Sequence, residues 1–213
     1  MNVYGKNDEG EATYPYEQQF RGVKEEDLKL NQDATKTSGF PFFSILIWSL
    51  FATVISIVVP FIFGLVSPQQ MQDFYTGWAL HQNGQIYTDY YGSNGLLYYL
   101  LTYLSQGSIL FALVEWVALF GAGIFLFKSA KTLTGQRGQA RQLLAIFYLL
   151  VASLGFGGSY AMIVAMPFLF YAFSLVADYL KNPINDKGFL LVGMSLALAF
   201  FLSPIPTLLF ALT

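Results

Sequence analysis

The chain has 213 residues, 55% of them hydrophobic and 11% charged, whereas soluble domains carry about a quarter charged residues, so an ordinary soluble class is excluded and a membrane protein is expected. It has no cysteine, which excludes disulfides and thiolate metal sites. The net charge of −2 matters less than where the charges lie, and nothing in it points to nucleic acid as a partner.

Period-two alternation is absent, so a β-barrel is not expected. The chain must cross a bilayer as helices, which satisfy their own backbone polar groups where there is no water.

Residues 1–40 form a polar tail with eight acids and five bases. Low hydrophobicity and mixed charge predict a largely disordered, solvated segment with one helical turn around Glu25 to Leu30. No secretory signal precedes the first apolar run.

The transmembrane domain is expected over 41–213. Phe42 to Val66 is uncharged and long enough, at ~37 Å as a helix, to be span one, with Pro60 as a kink. Ser67-Pro68-Gln69-Gln70 then reads as a capping box, and Asn83-Gly84 as the matching helix stop. Between them Met71, Phe74, Tyr75 and Trp78 share one face and Asp73 lies on nearly the opposite one. Such a helix lies along the membrane interface, with Asp73 turned toward water or protein.

A tyrosine-rich loop containing Asp89 and Tyr90 follows, then a short apolar helix from Leu96 to Leu104 ended by Ser105-Gln106-Gly107. Residues 67–107 thus form one loop outside the bilayer. Breaking the next run at Gly107 makes 108–127 span two and Lys128 to Arg141 a basic loop. The uncharged run from Gln142 to Ala177 is interrupted by Gly155-Phe156-Gly157-Gly158-Ser159, which predicts spans three (142–156) and four (159–177) joined by a tight turn. A re-entrant hairpin is the alternative. Residues 189–212 are span five, bent by Pro204 and Pro206. The chain stops at Thr213 against an apolar run, which reads as the front part of a longer membrane protein.

All eleven Lys and Arg lie in the tail, in 128–141 or in 178–187. The positive-inside rule then puts the N-terminus in the cytoplasm and residues 67–107 outside, in a multi-pass protein of the cell membrane. Glu115 falls ~12 Å below the outer end of span two. An acid at that depth marks a packing or functional site by default. It could bond a neighbouring helix, line a cavity or relay protons.

Metal clusters, nucleophile elbows and phosphate-cradling loops are absent from the sequence. What remains is Asp73, Asp89 and the aromatics around them, with His81 read as an interface residue rather than a base. A carboxylate at the membrane surface has the chemistry of a general base toward an acceptor hydroxyl. No cofactor is firmly implied, although a divalent cation is compatible with the residues.

The order of parts is more specific than any one residue. A cytoplasmic N-terminus, one span, an external interfacial helix with an early acid (Asp73), a helix-ending Gly84, a Tyr-x-Asp at Tyr87-Thr88-Asp89 and an aromatic apolar helix starting at Leu96 to Tyr99 resemble the start of the GT-C superfamily. These are polytopic glycosyltransferases that use polyprenyl-phosphate sugars. Phe74 stands where the family has a second acid, and Gly92-Ser93-Asn94-Gly95 replaces its Lys-Pro-Pro.

The resemblance implies an all-α, GT-C-like transmembrane bundle with an external loop of interfacial helices. It also implies transfer of a sugar from a polyprenyl-phosphate lipid to a surface glycan, lipid or protein acceptor. Asp73 would then be the catalytic acid/base, with Asp89, Tyr90, Asn94 and Tyr98 as substrate-binding residues. The alternatives are a non-catalytic membrane scaffold of an envelope polysaccharide assembly, in which Asp73 is dispensable, and a transporter with Glu115 on its path.

Overall fold

A computed structural model describes residues 41–85, 94–106, 108–154, 160–181 and 187–212, the side chains of 69, 154, 160 and 187 excepted. The tail and its expected helical turn, Asp89, Tyr90 and the glycine turn at 155–159 lie outside the described residues. Among the described residues the chain is all-helical, without a strand. The elements are α1 (Phe42–Phe63), α2 (Pro68–His81), α3 (Leu96–Ser105), α4 (Phe111–Thr134), α5 (Arg137–Leu154), α6 (Tyr160–Lys181), α7 (Lys187–Leu202) and α8 (Pro204–Ala211).

Among the described residues three helices, α1, α4 and α6, are long and apolar enough to cross a membrane, where the sequence predicts five spans. The difference lies in the remaining two. α5 begins with Arg137 and carries Arg141 in its second turn. α7 has 16 residues and is separated from α8 at Ser203, whose extended backbone (φ −144°, ψ 92°) starts a new helix with Pro204 in its first turn. The expected bend at Pro204 and Pro206 is therefore a break.

The basic segment 128–141 is also not a loop. α4 continues through Lys128 and Lys131 to Thr134 and is closed by Gly135 in the left-handed region (φ 69°), whose N–H donates to Lys131 O at 3.0 Å. Charge ends an apolar run without ending a helix, and lysines in a last turn answer the negative end of the helix dipole.

α4 is the central helix and packs on α6, α5 and α1. Small residues allow α4 to come close to its neighbours: Gly121 faces Pro167 of α6, where a Cβ would lie 3.3 Å from the proline's, and Gly123 faces Tyr148 of α5 and Ile45 of α1. This is the usual way helices pack in lipid, where apolar surface alone gives no reason to associate. α1 shows the same solvent logic. It exposes Ile47, Phe51, Ile62 and Phe63, while burying Ser49, Thr53 and Ser56.

Inside α1, Val54–Val58 forms a π-helical turn, a widening found often at functional positions. Pro60, where the sequence predicts a kink, lies just after it.

Candidate functional site

α2 starts where its cap dictates. Ser67 Oγ accepts from Gln70 N at 3.2 Å and Gln70 Oε1 accepts from Ser67 N at 3.0 Å, the reciprocal bonds of a capping box. It stops where the chain turns left-handed, at Asn83 (φ 69°) rather than at Gly84. Asn83 N donates to Leu80 O at 3.3 Å and Gly84 N to Ala79 O at 3.0 Å, the paired bonds of a Schellman motif. Between these ends Met71, Tyr75 and Trp78 are exposed on one side and Asp73 is 7% exposed on the other. Asp73 thus turns toward protein, the second of the two surroundings open to it from sequence.

The protein it meets is α3 and the residue ahead of it. Tyr98 Oη donates to Asp73 Oδ2 at 3.0 Å, and Asn94 Nδ2 donates to Asp73 Oδ1 at 3.3 Å. Tyr98 is fully buried and packs edge-on to Phe111 at the start of α4, ring centroids 5.8 Å apart. Burial lifts the Asp73 carboxyl from 3.8 to about 6, and the Tyr98 hydroxyl works in the opposite direction by stabilising the anion.

Two further bonds attach this pair of helices to the bundle, and each uses a carbonyl that its own helix does not serve. In an α-helix the carbonyl of residue 56 would accept from the N–H of residue 60, which is Pro60 and has none. Gln70 Nε2 donates to Ser56 O instead, at 3.2 Å, from a fully buried side chain. The carbonyl of Leu202 is free for a different reason, because α7 ends there and Ser203 is extended, and Gly95 N donates to it at 3.0 Å. Gln70 therefore caps α2 and pins it to α1, while Gly95 pins the start of α3 to the end of α7.

Beneath this layer Ser56 Oγ donates to Glu115 Oε1 at 2.5 Å. Glu115 is fully buried, and its Oε2 meets no donor among the described residues. Of the roles the sequence leaves open, the bond across α1 and α4 realises the helix-to-helix one. His81 is exposed and lies beside Tyr103, ring centroids 5.7 Å apart.

Of the residues singled out in sequence, Asp73, Asn94 and Tyr98 come together, and Glu115 belongs to a separate pair below them. Both Asp73 oxygens accept from this chain's own side chains, so the carboxylate braces α2 against α3. The adjacent cleft, about 780 Å³, is lined by apolar residues such as Leu80, Leu97 and Phe201, and Asp73 is not among its lining. Among the described residues no three His, Asp or Glu side chains gather as a metal site.

Sequence reading missed Ser56 and the second role of Gln70. Two signals were present: Ser49, Thr53 and Ser56 share one face of α1 at helical spacing, and a proline marks the carbonyl four residues earlier as unserved.

A family model described as "Putative competence-induced protein Ccs4 N-terminal domain" matches residues 30–213. No curated protein matches the chain, and no solved structure does. The match overturns the assignment to the GT-C glycosyltransferases. The residues behind that assignment, one acid on an interfacial helix, a helix-ending glycine and a Tyr-x-Asp, also suit a braced helical pair between two spans.

Proposed function

Since the chain belongs to the family of the competence-induced protein Ccs4 N-terminal domain, we propose that it is a non-catalytic membrane component of the competent cell. Its helices hold the α2–α3 layer on the outer face of the cell membrane as a platform for an assembly. The single observation that carries this reading is the enclosure of Asp73. It is the one acid among the described residues of 67–107, and it is buried with both oxygens bonded within the chain. A general base must reach a substrate proton; this carboxylate reaches Tyr98 and Asn94.

The exposed side of α2 supplies the surface. Met71, Tyr75 and Trp78 form a stripe of the kind that lies at headgroup level or at a protein interface. Orientation follows from charge, because the lysines and arginines of 128–141 and 178–187 flank the ends of α4, α5, α6 and α7 away from α2 and α3.

Transformation frequency in a naturally competent host tests the reading. Asp73→Asn is expected to retain wild-type frequency, and Tyr75→Ala with Trp78→Ala to lower it roughly tenfold or more, the loss typical of buried aromatic anchors, at unchanged membrane abundance. Loss of transformation in a stable, abundant Asp73→Asn protein would restore a chemical role for that carboxylate and sink the platform.

A further inference from the structure

At the opposite end of the bundle from Asp73, the last turns of α4 and α6 and the first of α7 enclose a pocket of about 710 Å³, within the range of small-ligand sites. Its rim carries Lys128, Lys131 and Lys181, and its wall is apolar, with Leu175, Val176 and Phe189. One acid lines it, Asp178, and that acid is engaged: its Oδ2 lies 2.7 Å from Lys128 Nζ and its Oδ1 accepts from Thr132 at 3.2 Å. Lys131 and Lys181, both exposed, meet no acid among the described residues. Among the described residues the pocket therefore carries surplus positive charge at its mouth and apolar side chains along its side.

We propose that this pocket binds the headgroup of an anionic phospholipid, with the phosphate between Lys131 and Lys181 and an acyl chain along Val176 and Phe189. Three features select a lipid over a soluble phosphate compound. The lysines stand at helix ends, at the depth where headgroups lie. The wall is continuous with surface that faces hydrocarbon, since Val176, Leu180, Phe189 and Leu190 are all exposed. Basic pockets between transmembrane helices on the cytoplasmic side have the charge that anionic headgroups require. Lys128 plays a different part: held by Asp178, it ties α4 to α6 and shapes the rim. The inference rests on this pocket alone and stands apart from the platform reading.

The test uses the full chain, purified in a neutral detergent, stripped of lipid and titrated with phosphatidylglycerol or phosphatidylcholine, bound lipid being counted by native mass spectrometry. One tightly held phosphatidylglycerol is expected, with phosphatidylcholine retained far less. Lys131→Gln with Lys181→Gln is expected to weaken phosphatidylglycerol roughly 30-fold, the factor carried by two cations at a membrane surface. Its lipid-free melting temperature should stay at the wild-type value, because both side chains are exposed.

Equal retention of the two lipids, or undiminished binding by the double variant, overturns the proposal and leaves the lysines as simple anchors. Inorganic phosphate is the third arm. If millimolar phosphate displaces phosphatidylglycerol and raises the melting temperature as much as the lipid does, the site is one for soluble phosphate and the lipid assignment is wrong.

Discussion

Gly95→Ala is expected to destabilise the protein by about 3 kcal/mol or more, the sum of an overpacked contact and a lost buried hydrogen bond. The reason is space rather than backbone strain, because Gly95 has an ordinary extended conformation (φ −79°, ψ 161°). A Cβ there would collide with the carbonyl carbon and oxygen of Phe201, which are main-chain atoms and cannot rotate away. Moving α3 back to make room breaks the bond from Gly95 N to Leu202 O. That carbonyl has no helical donor to fall back on, since α7 ends at Leu202 and Ser203 is extended.

Gly193→Ala on α7 is the control, because nothing lies within 4 Å of a Cβ at that position. Thermal unfolding in detergent should separate the two variants clearly. Equal melting temperatures would mean that α3 is not docked on the end of α7.

The second large effect is on pH dependence. In the unfolded chain the Asp73 carboxyl titrates near 3.8, and in the folded protein near 6. Between those values the folded state holds a proton that the unfolded state has released, so this group's contribution to stability is greatest below pH 4. It falls as pH rises from about 4 to 6, by about 3 kcal/mol in all, and stays flat above that window.

Asp73→Asn removes the titration while keeping a side chain that can bond both Asn94 and Tyr98. The variant is therefore expected to match the wild type below pH 4 and to melt higher at pH 7.5. Taking the difference between the two proteins cancels the other acids, Glu115 included. A variant that melts lower than the wild type at pH 7.5 would show that the carboxylate gains more from its donors than burial costs it.

Much of this arrangement is legible in the sequence wherever a local rule decides it. The capping box at Ser67 and Gln70, the stop near Asn83, the break after Ser105 and the placement of Asp73 opposite Trp78 all follow from side chains acting within one or two helical turns, whereas the sequence left open whether Asp73 meets water or protein. The boundaries that went astray depend on more than the residues beside them. Lys128 and Lys131 read as loop because they end an apolar run, yet the α4 backbone continues past both to its cap at Gly135. Pro204 and Pro206 read as a bend, but Ser203 leaves the helix altogether.

The tertiary partners were the least legible part. Gln70 meets Ser56, and Gly95 meets Leu202, only when a proline in one case and a helix end in the other have left carbonyls unserved and the fold has brought α2 and α3 over them. The family assignment failed because the order of parts around Asp73 is not specific to one family: the match over residues 30–213 is to another, and the partner Asp73 meets, Tyr98, lies 25 residues away in sequence.

The claim on which the rest depends is that Asp73 ties α2 to α3. A double-mutant cycle of Asp73→Ala and Tyr98→Phe, followed by unfolding at pH 7.5 where the carboxyl is ionised, measures it directly. A coupling of about 1.5 kcal/mol or more is predicted, as for a buried hydrogen bond to a charged acceptor. Effects that add to within about 0.3 kcal/mol, as for independent sites, would contradict it and leave Asp73 free for another role.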